Sequence, residues 1–269
     1  MRFFLLAVAV LLAILNLSHL WIQTSNPGET SNPESLFILN AVHLSEGKPL
    51  YTDFRRPPYN VTQYTPLHYA VLAVLKRTFA FDVQQLFYWG RRLILTMALT
   101  IAGLIFWHGK KQTGSNAFSF IAACLFAGSY VLWPFACTNR PDVLAALLSV
   151  GAILLALSNE KRDLFLAVPL LVLAFYAKQS FLSAPAVIAL YLVLNRQFSR
   201  AFQFCTTYVV LTGLIWFLLH AATGGMSTVN LLDANVAPMK IQNVRLVAGL
   251  FLQTAALPLI LSFSGLTKD

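Results

Sequence analysis

Uncharged apolar runs constrain this chain more than any other feature. Residues 3–22 (FFLLAVAVLLAILNLSHLWI) carry no Asp, Glu, Lys or Arg, and they match the roughly 20 residues a helix needs to cross the ~30 Å hydrocarbon core of a bilayer. Further apolar runs follow at 86–107, 117–135, 143–158, 164–176, 181–194, 201–222 and near 246–262, which makes about eight spans with the first. The apolar residues cluster in runs and do not alternate, which argues against a transmembrane β-barrel. Charged residues make up 11% of the chain, against about 25% in an ordinary soluble domain. The expected fold class is therefore all-α: a polytopic transmembrane helical bundle, with 1–269 as a single membrane domain. The first run is expected to be a retained anchor. It is long for a signal peptide, only Arg2 precedes it, and no A-x-A site follows.

Between the first two long runs lies a loop over 23–85, too polar and too rich in proline to be mere connection. Residues 23–33 (QTSNPGETSNP) are turn-forming. Glu34 opens a segment whose Leu36, Phe37, Leu39, Ala41 and Leu44 suit a short amphipathic helix, ended by Gly47 and Pro49. Residues 51–63 are loop, broken at Pro57-Pro58. Residues 66–79 are apolar but would reach only about 21 Å as a helix, short of a span. They are expected to form an interfacial or re-entrant helix ending at Lys76 and Arg77.

Placing the N-terminus in the cytoplasm puts Lys110/Lys111, Lys161/Arg162 and Arg196/Arg200 inside, one basic pair per turn. Only 8 of the 19 basic residues then lie inside, and 11 fall outside. The rule loses force for loops longer than about 60 residues, so the outer cations call for another reason, and an anionic ligand supplies one. The net charge of +9 does not indicate nucleic acid, because no basic stripe with interleaved aromatics accompanies it. Cys124, Cys137 and Cys205 lack metal or disulfide spacing and read as small packing residues.

With this topology the loop acids, the Cys137–Asp142 turn, Lys178, Lys240 and Arg245 share the outer face. Acids from separate loops ringed by cations suit a transfer reaction on a membrane-bound phosphate donor. A carboxylate takes the proton of an attacking hydroxyl, and Arg or Lys steadies the departing charge. Each residue also has a plainer account. Glu34 complements a helix dipole after Pro33, and Asp142 does the same after Arg140-Pro141. Lys178 snorkels to the interface. Arg55 and Arg56 form a solvated loop face, and Arg91 and Arg92 anchor a span in head groups. Tyr51, Tyr59, Tyr64 and Tyr69 belong to an interfacial aromatic belt. His43 and His68 are too isolated for a metal site. Asn60-Val-Thr62 is a glycosylation sequon.

The stretch ESLFILNAVHLSEGKPLY, followed by YNVTQYTPLHYAVLA, resembles the first outer loop of the GT-C membrane glycosyltransferases, in the branch containing protein O-mannosyltransferases and lipid A aminoarabinose transferases. NRPDVLAALL and AKQSFLSAPA resemble that family's Asp-bearing and Lys-bearing outer turns. The likeness covers roughly residues 1–200, and family members run to further spans. It implies a sugar moved, with inversion, from a polyprenyl-phosphate donor to a hydroxyl of a lipid, glycan or protein acceptor, on the extracytoplasmic side of the plasma membrane in a bacterial cell. It implies Glu34 as catalytic base or as positioner for the acceptor, with Glu29 as its nearest rival. It gives Asp142 acceptor or divalent-metal contacts, and Lys178 a hold on the lipid phosphate. Arg140 either pairs with Asp142 or faces a phosphate, Arg55 and Arg56 join the phosphate side, and Tyr64 stacks on sugar or lines the acceptor groove. No cofactor beyond such a metal is implied. Two rival classes are a transporter or flippase of a lipid-linked anion and a non-catalytic membrane subunit. The first would want mid-span charges repeated between halves; here the charges gather at loop ends.

Overall fold

The computed structural model describes residues 2–31, 33–129, 132–158, 161–235 and 249, and every regular element among them is helical. In order the α-helices are α1 (Arg2–Thr24), α2 (Glu34–Ser45), α3 (Leu67–Phe79), α4 (Val83–Thr113), α5 (Asn116–Ala127), α6 (Trp133–Ala136), α7 (Asp142–Ala156), α8 (Lys161–Ala177), α9 (Ser183–Leu194), α10 (Phe198–Ala222) and α11 (Met226–Leu231), and a 3-10 turn covers Asp233–Asn235. By its contacts the chain divides into residues 1–234 and 235–269. In the second unit only Asn235 and Gly249 are described. The span expected near 246–262, with Lys240 and Arg245, lies outside the described residues.

Three helices, α1, α4 and α10, are long and apolar enough to cross a membrane. Their surfaces show what they face: Phe3, Ile22, Trp107, Phe202, Val209 and Phe217 are all exposed, an arrangement that suits lipid and not water. The apolar helices α5, α7 and α9 run only 12, 15 and 12 residues, below the roughly 17–25 of a lone span. Helix α5 ends within the run at 117–135, and Gly128 just past it lies against the backbone of Leu12, where a Cβ would come within 2.9 Å. The Asn16 side chain fixes that crossing by donating to the Ala127 carbonyl at 2.6 Å. One apolar cluster joins α7, α8, α9 and α10 through Ala152, Leu171, Ile188 and Phe204. A second joins α1, α4 and α7 through Leu20, Ile94 and Val143.

The 23–85 segment contains the short helices expected of it. Helix α4 opens on a capping box, in which Asp82 accepts from the Gln85 amide and the Gln85 side chain accepts from the Asp82 amide. It closes at Gly114, φ +67°. Helix α2 ends where Gly47 takes φ +78°. Its start is capped by Glu29, whose carboxylate accepts from Ser35 N and Oγ, both at 3.0 Å. Arg77 at the end of α3 donates to the carbonyls of Ser45 and Leu44 at the end of α2, a cation set on a helix C-terminus. The buried stripe of α2 differs from the expected one. It is Glu34, Phe37, Ile38 and Ala41, while Leu39 is exposed. The helical spacing i, i+3, i+4, i+7 therefore begins on an acid.

Tyr51 and Tyr69 are likewise not interfacial. They are buried with Phe37, Leu50 and Leu231, and burial raises both hydroxyls well above the ordinary tyrosine range. The sequon is folded away: Thr62 is fully buried and donates to the Leu50 carbonyl, and Asn60 donates to Asn40.

Gly90 decides how closely α4 approaches the turn before α7. A Cβ there would lie 2.0 Å from Asn139 Oδ1 and 3.1 Å from Leu72. Asn139 is held by its own hydrogen bonds and has little room to yield. Gly→Ala inside a helix ordinarily stabilises by about 1 kcal/mol. Here the sign reverses, and G90A is expected to destabilise by about 1–3 kcal/mol. A thermal-unfolding midpoint in detergent checks this, and an unchanged or raised midpoint counts against the close approach.

Candidate functional site

Glu34 sits at the start of α2, and its side chain is fully buried. Arg91, in the third turn of α4 and equally buried, meets it with a forked pair: Nε to Oε1 at 2.8 Å and Nη2 to Oε2 at 2.7 Å. The backbone amide of Asn139 donates to Oε1 at 2.7 Å and its side-chain amide at 3.0 Å. Thr30 donates to Oε2 from its amide and hydroxyl, both at 3.3 Å. Arg91 also donates to the carbonyls of Asn26 and Gly28. Six donors thus occupy one carboxylate, and both charges are compensated. A base must reach the proton it removes, within about 3 Å or through one water. Glu34 has no such approach in this arrangement and acts as a tie between the 26–34 loop, α4 and the 137–142 turn. Arg91, read from sequence as a head-group anchor, is corrected by the same geometry: it faces inward.

On the other side of that turn lies a second cluster that reaches solvent. Asp142, first residue of α7, accepts from Lys178 Nζ at 2.5 Å and from Arg140 Nε at 3.4 Å. These three side chains are 13%, 14% and 20% exposed. Arg140 also donates to Ser31 Oγ at 3.3 Å, so the cluster touches the loop that Glu34 secures. Lys178 Nζ lies 5.3 Å from the Tyr64 ring centroid, within cation–π range. Thr65 and Gln179 fasten the 63–65 segment to the end of α8 by bonds to the Phe175 and Gln63 carbonyls. Two cations face one carboxylate, which leaves one positive charge in surplus at a helix N-terminus, a setting that favours an anion. Asp142, Arg140, Lys178 and Tyr64 are therefore brought together, with Glu34 walled off behind them.

Arg55 and Arg56 are not joined to that cluster by any bond among the described residues. Both pair with Asp53 and remain 60% and 82% exposed. The hydrogen bonds and charge of Arg55 hold Asp53 below the usual carboxylate range. Glu29 caps α2 at the surface. For a divalent metal the donor set does not fit: Asp142 is flanked by two cations, and among the described residues no three His, Cys, Asp or Glu side chains gather as ligands.

His68 lies beneath the cluster, fully buried, with Nε2 3.0 Å from the Asn139 carbonyl. A carbonyl only accepts, so Nε2 carries the proton and Nδ1 remains without a partner. Burial pushes the ring down to about 4, against weaker opposing pulls from the Asn139 carbonyl and the Asp142 charge. The unfolded chain, near 6.5, then binds the proton that the folded chain refuses. Stability is therefore full above pH 6.5 and falls as pH drops toward 4, by about 3 kcal/mol from this group. H68Q is expected to flatten that part of the stability profile, measured as unfolding midpoints between pH 7 and 4.5. An identical slope in both proteins would reject the assignment.

Arg91 and Asn139 were not identified from sequence as members of this site. One signal was available: neighbouring residues on a helix point about 100° apart, so Arg91 and Arg92 cannot share one environment. No protein-family model, curated protein or solved structure matches the chain.

Proposed function

We propose that this is a multi-pass integral membrane glycosyltransferase of GT-C type, with α2, α3 and the Asp142 turn on the extracytoplasmic side. It takes a sugar from a polyprenyl-phosphate donor and passes it to a hydroxyl of a lipid, glycan or protein acceptor. In a bacterial cell its membrane is the plasma membrane. The observation that carries this reading is the partly exposed Asp142–Lys178–Arg140 cluster with its surplus positive charge, held over the ordered loop by Ser31 and Tyr64. The donor phosphate competes for Lys178 and Arg140 and so releases the Asp142 carboxylate. The acceptor oxygen attacks the anomeric carbon, the carbon–oxygen bond to phosphate breaks, and the configuration inverts. The hydroxyl proton passes to Asp142, and the polyprenyl phosphate departs with the bonding electrons, held by the two cations. Glu34 contributes by positioning, through Asn139, the turn that carries Arg140 and Asp142.

A second reading, a non-catalytic membrane subunit, draws on one observation: the first-loop acid is fully enclosed by its partners. Transfer assays on purified wild-type protein and D142N separate the two readings, since a subunit shows no transfer in either.

A further inference from the structure

Arg92 follows Arg91 on α4 but turns the other way, and its guanidinium is strangely idle. Arg91 spends Nε, Nη1 and Nη2 on four hydrogen bonds. Among the described residues Arg92 has no side-chain hydrogen bond and no ion pair, and its Nε is buried without a partner. What holds it is aromatic. Its guanidinium carbon lies 5.2 Å from the Trp21 ring centroid and 4.8 Å from that of Trp89. The five N–H donors of a guanidinium match phosphate oxygens in a forked geometry.

Directly below runs an apolar groove. Leu17, Ser18, Trp21 and Ile22 of α1 and Leu95 and Leu99 of α4 line about 530 Å³. Trp21 both stacks on Arg92 and forms the groove wall. Leu17 also lines the adjoining stretch, about 560 Å³ between Val10, Ile14, Gly103 and Phe120. From Ile22 to Val10 the path measures about 18 Å along α1, close to the depth of one leaflet in a ~30 Å core. Arg92 stands about 27 Å along α4 from Lys110, so the pair brackets such a core and puts Arg92 at its outer boundary.

We propose that α1 and α4 form a binding site for an anionic phospholipid of the extracytoplasmic leaflet, its phosphate on Arg92 and one acyl chain in the groove. The inference rests on the membrane reading above and not on the transfer chemistry. A partner helix fits less well, because the groove is one leaflet deep and carries its charge at one end only.

Tryptophan quenching tests it on the intact protein in phosphatidylcholine bilayers. Phosphatidylglycerol or phosphatidylcholine with brominated acyl chains is added at matched mole fractions. The wild type is expected to favour brominated phosphatidylglycerol about fivefold. That preference should vanish in R92Q, persist in part in R92K, and be hard to detect in W21F, which lacks the reporter in the groove. Equal quenching by both lipids in the wild type overturns the proposal, even if R92Q does not fold. So does a preference that survives R92Q. Quenching by neither lipid overturns the membrane reading and this inference with it.

Discussion

R91M is expected to destabilise the protein by about 3–5 kcal/mol, the cost of leaving a buried charge unpaired. Arg91 and Glu34 are both 0% exposed, so no water replaces the lost guanidinium. The carbonyls of Asn26 and Gly28 lose their donors in the same step. Against a usual stability of about 5–15 kcal/mol, that loss frees the 26–34 loop and makes it a site of protease cleavage. E34Q, which keeps the shape but strands the Arg91 charge, should fall in the same range. The two changes should not add: a double-mutant cycle with E34M is expected to show a coupling of about 1–3 kcal/mol. Unfolding midpoints in detergent, with limited proteolysis, check both points. A change within about 0.5 kcal/mol, typical of exposed sites, would show that the pair is not buried as described.

Much of the helical pattern was readable from sequence because local rules governed it. The apolar run of α1 and the Gly47 stop after α2 need no distant partner. Helix α4 runs past the expected 86–107 to Val83–Thr113, carried by the Asp82 capping box and by the polar His108–Thr113 turn before Gly114. The end of α5 at Ala127 was not readable, because nothing in the apolar run at 117–135 marks the place where Gly128 packs against Leu12 of α1. The site divides in the same way. Asp142, Arg140, Lys178 and Tyr64 come from motifs, and their meeting follows from two helix ends lying on one side of the bundle. The state of Glu34 follows from Arg91, 57 residues later, and from Asn139, 105 residues later. Nothing near Glu34 in the chain distinguishes an acid waiting for a proton from one fixed by a hidden arginine. Hydropathy reads Arg91 and Arg92 alike, although one is a buried partner and the other a cation between two indoles.

In the proposed reaction Asp142, and not the enclosed Glu34, receives the acceptor proton. D142N removes the charge and keeps the shape. General-base catalysis is worth about 10²–10⁴-fold, so transfer should fall at least a hundredfold with the fold intact. K178M should weaken donor binding, because it removes the cluster's surplus positive charge. The deciding measurement is the rate of sugar transfer from a polyprenyl-phosphate sugar by the purified protein, wild type against D142N, with unfolding midpoints in parallel. Measurable wild-type transfer is expected, with a hundredfold or greater loss in D142N that still unfolds cooperatively, if at a lowered midpoint. No transfer by the wild type, or full transfer by a folded D142N, would contradict it.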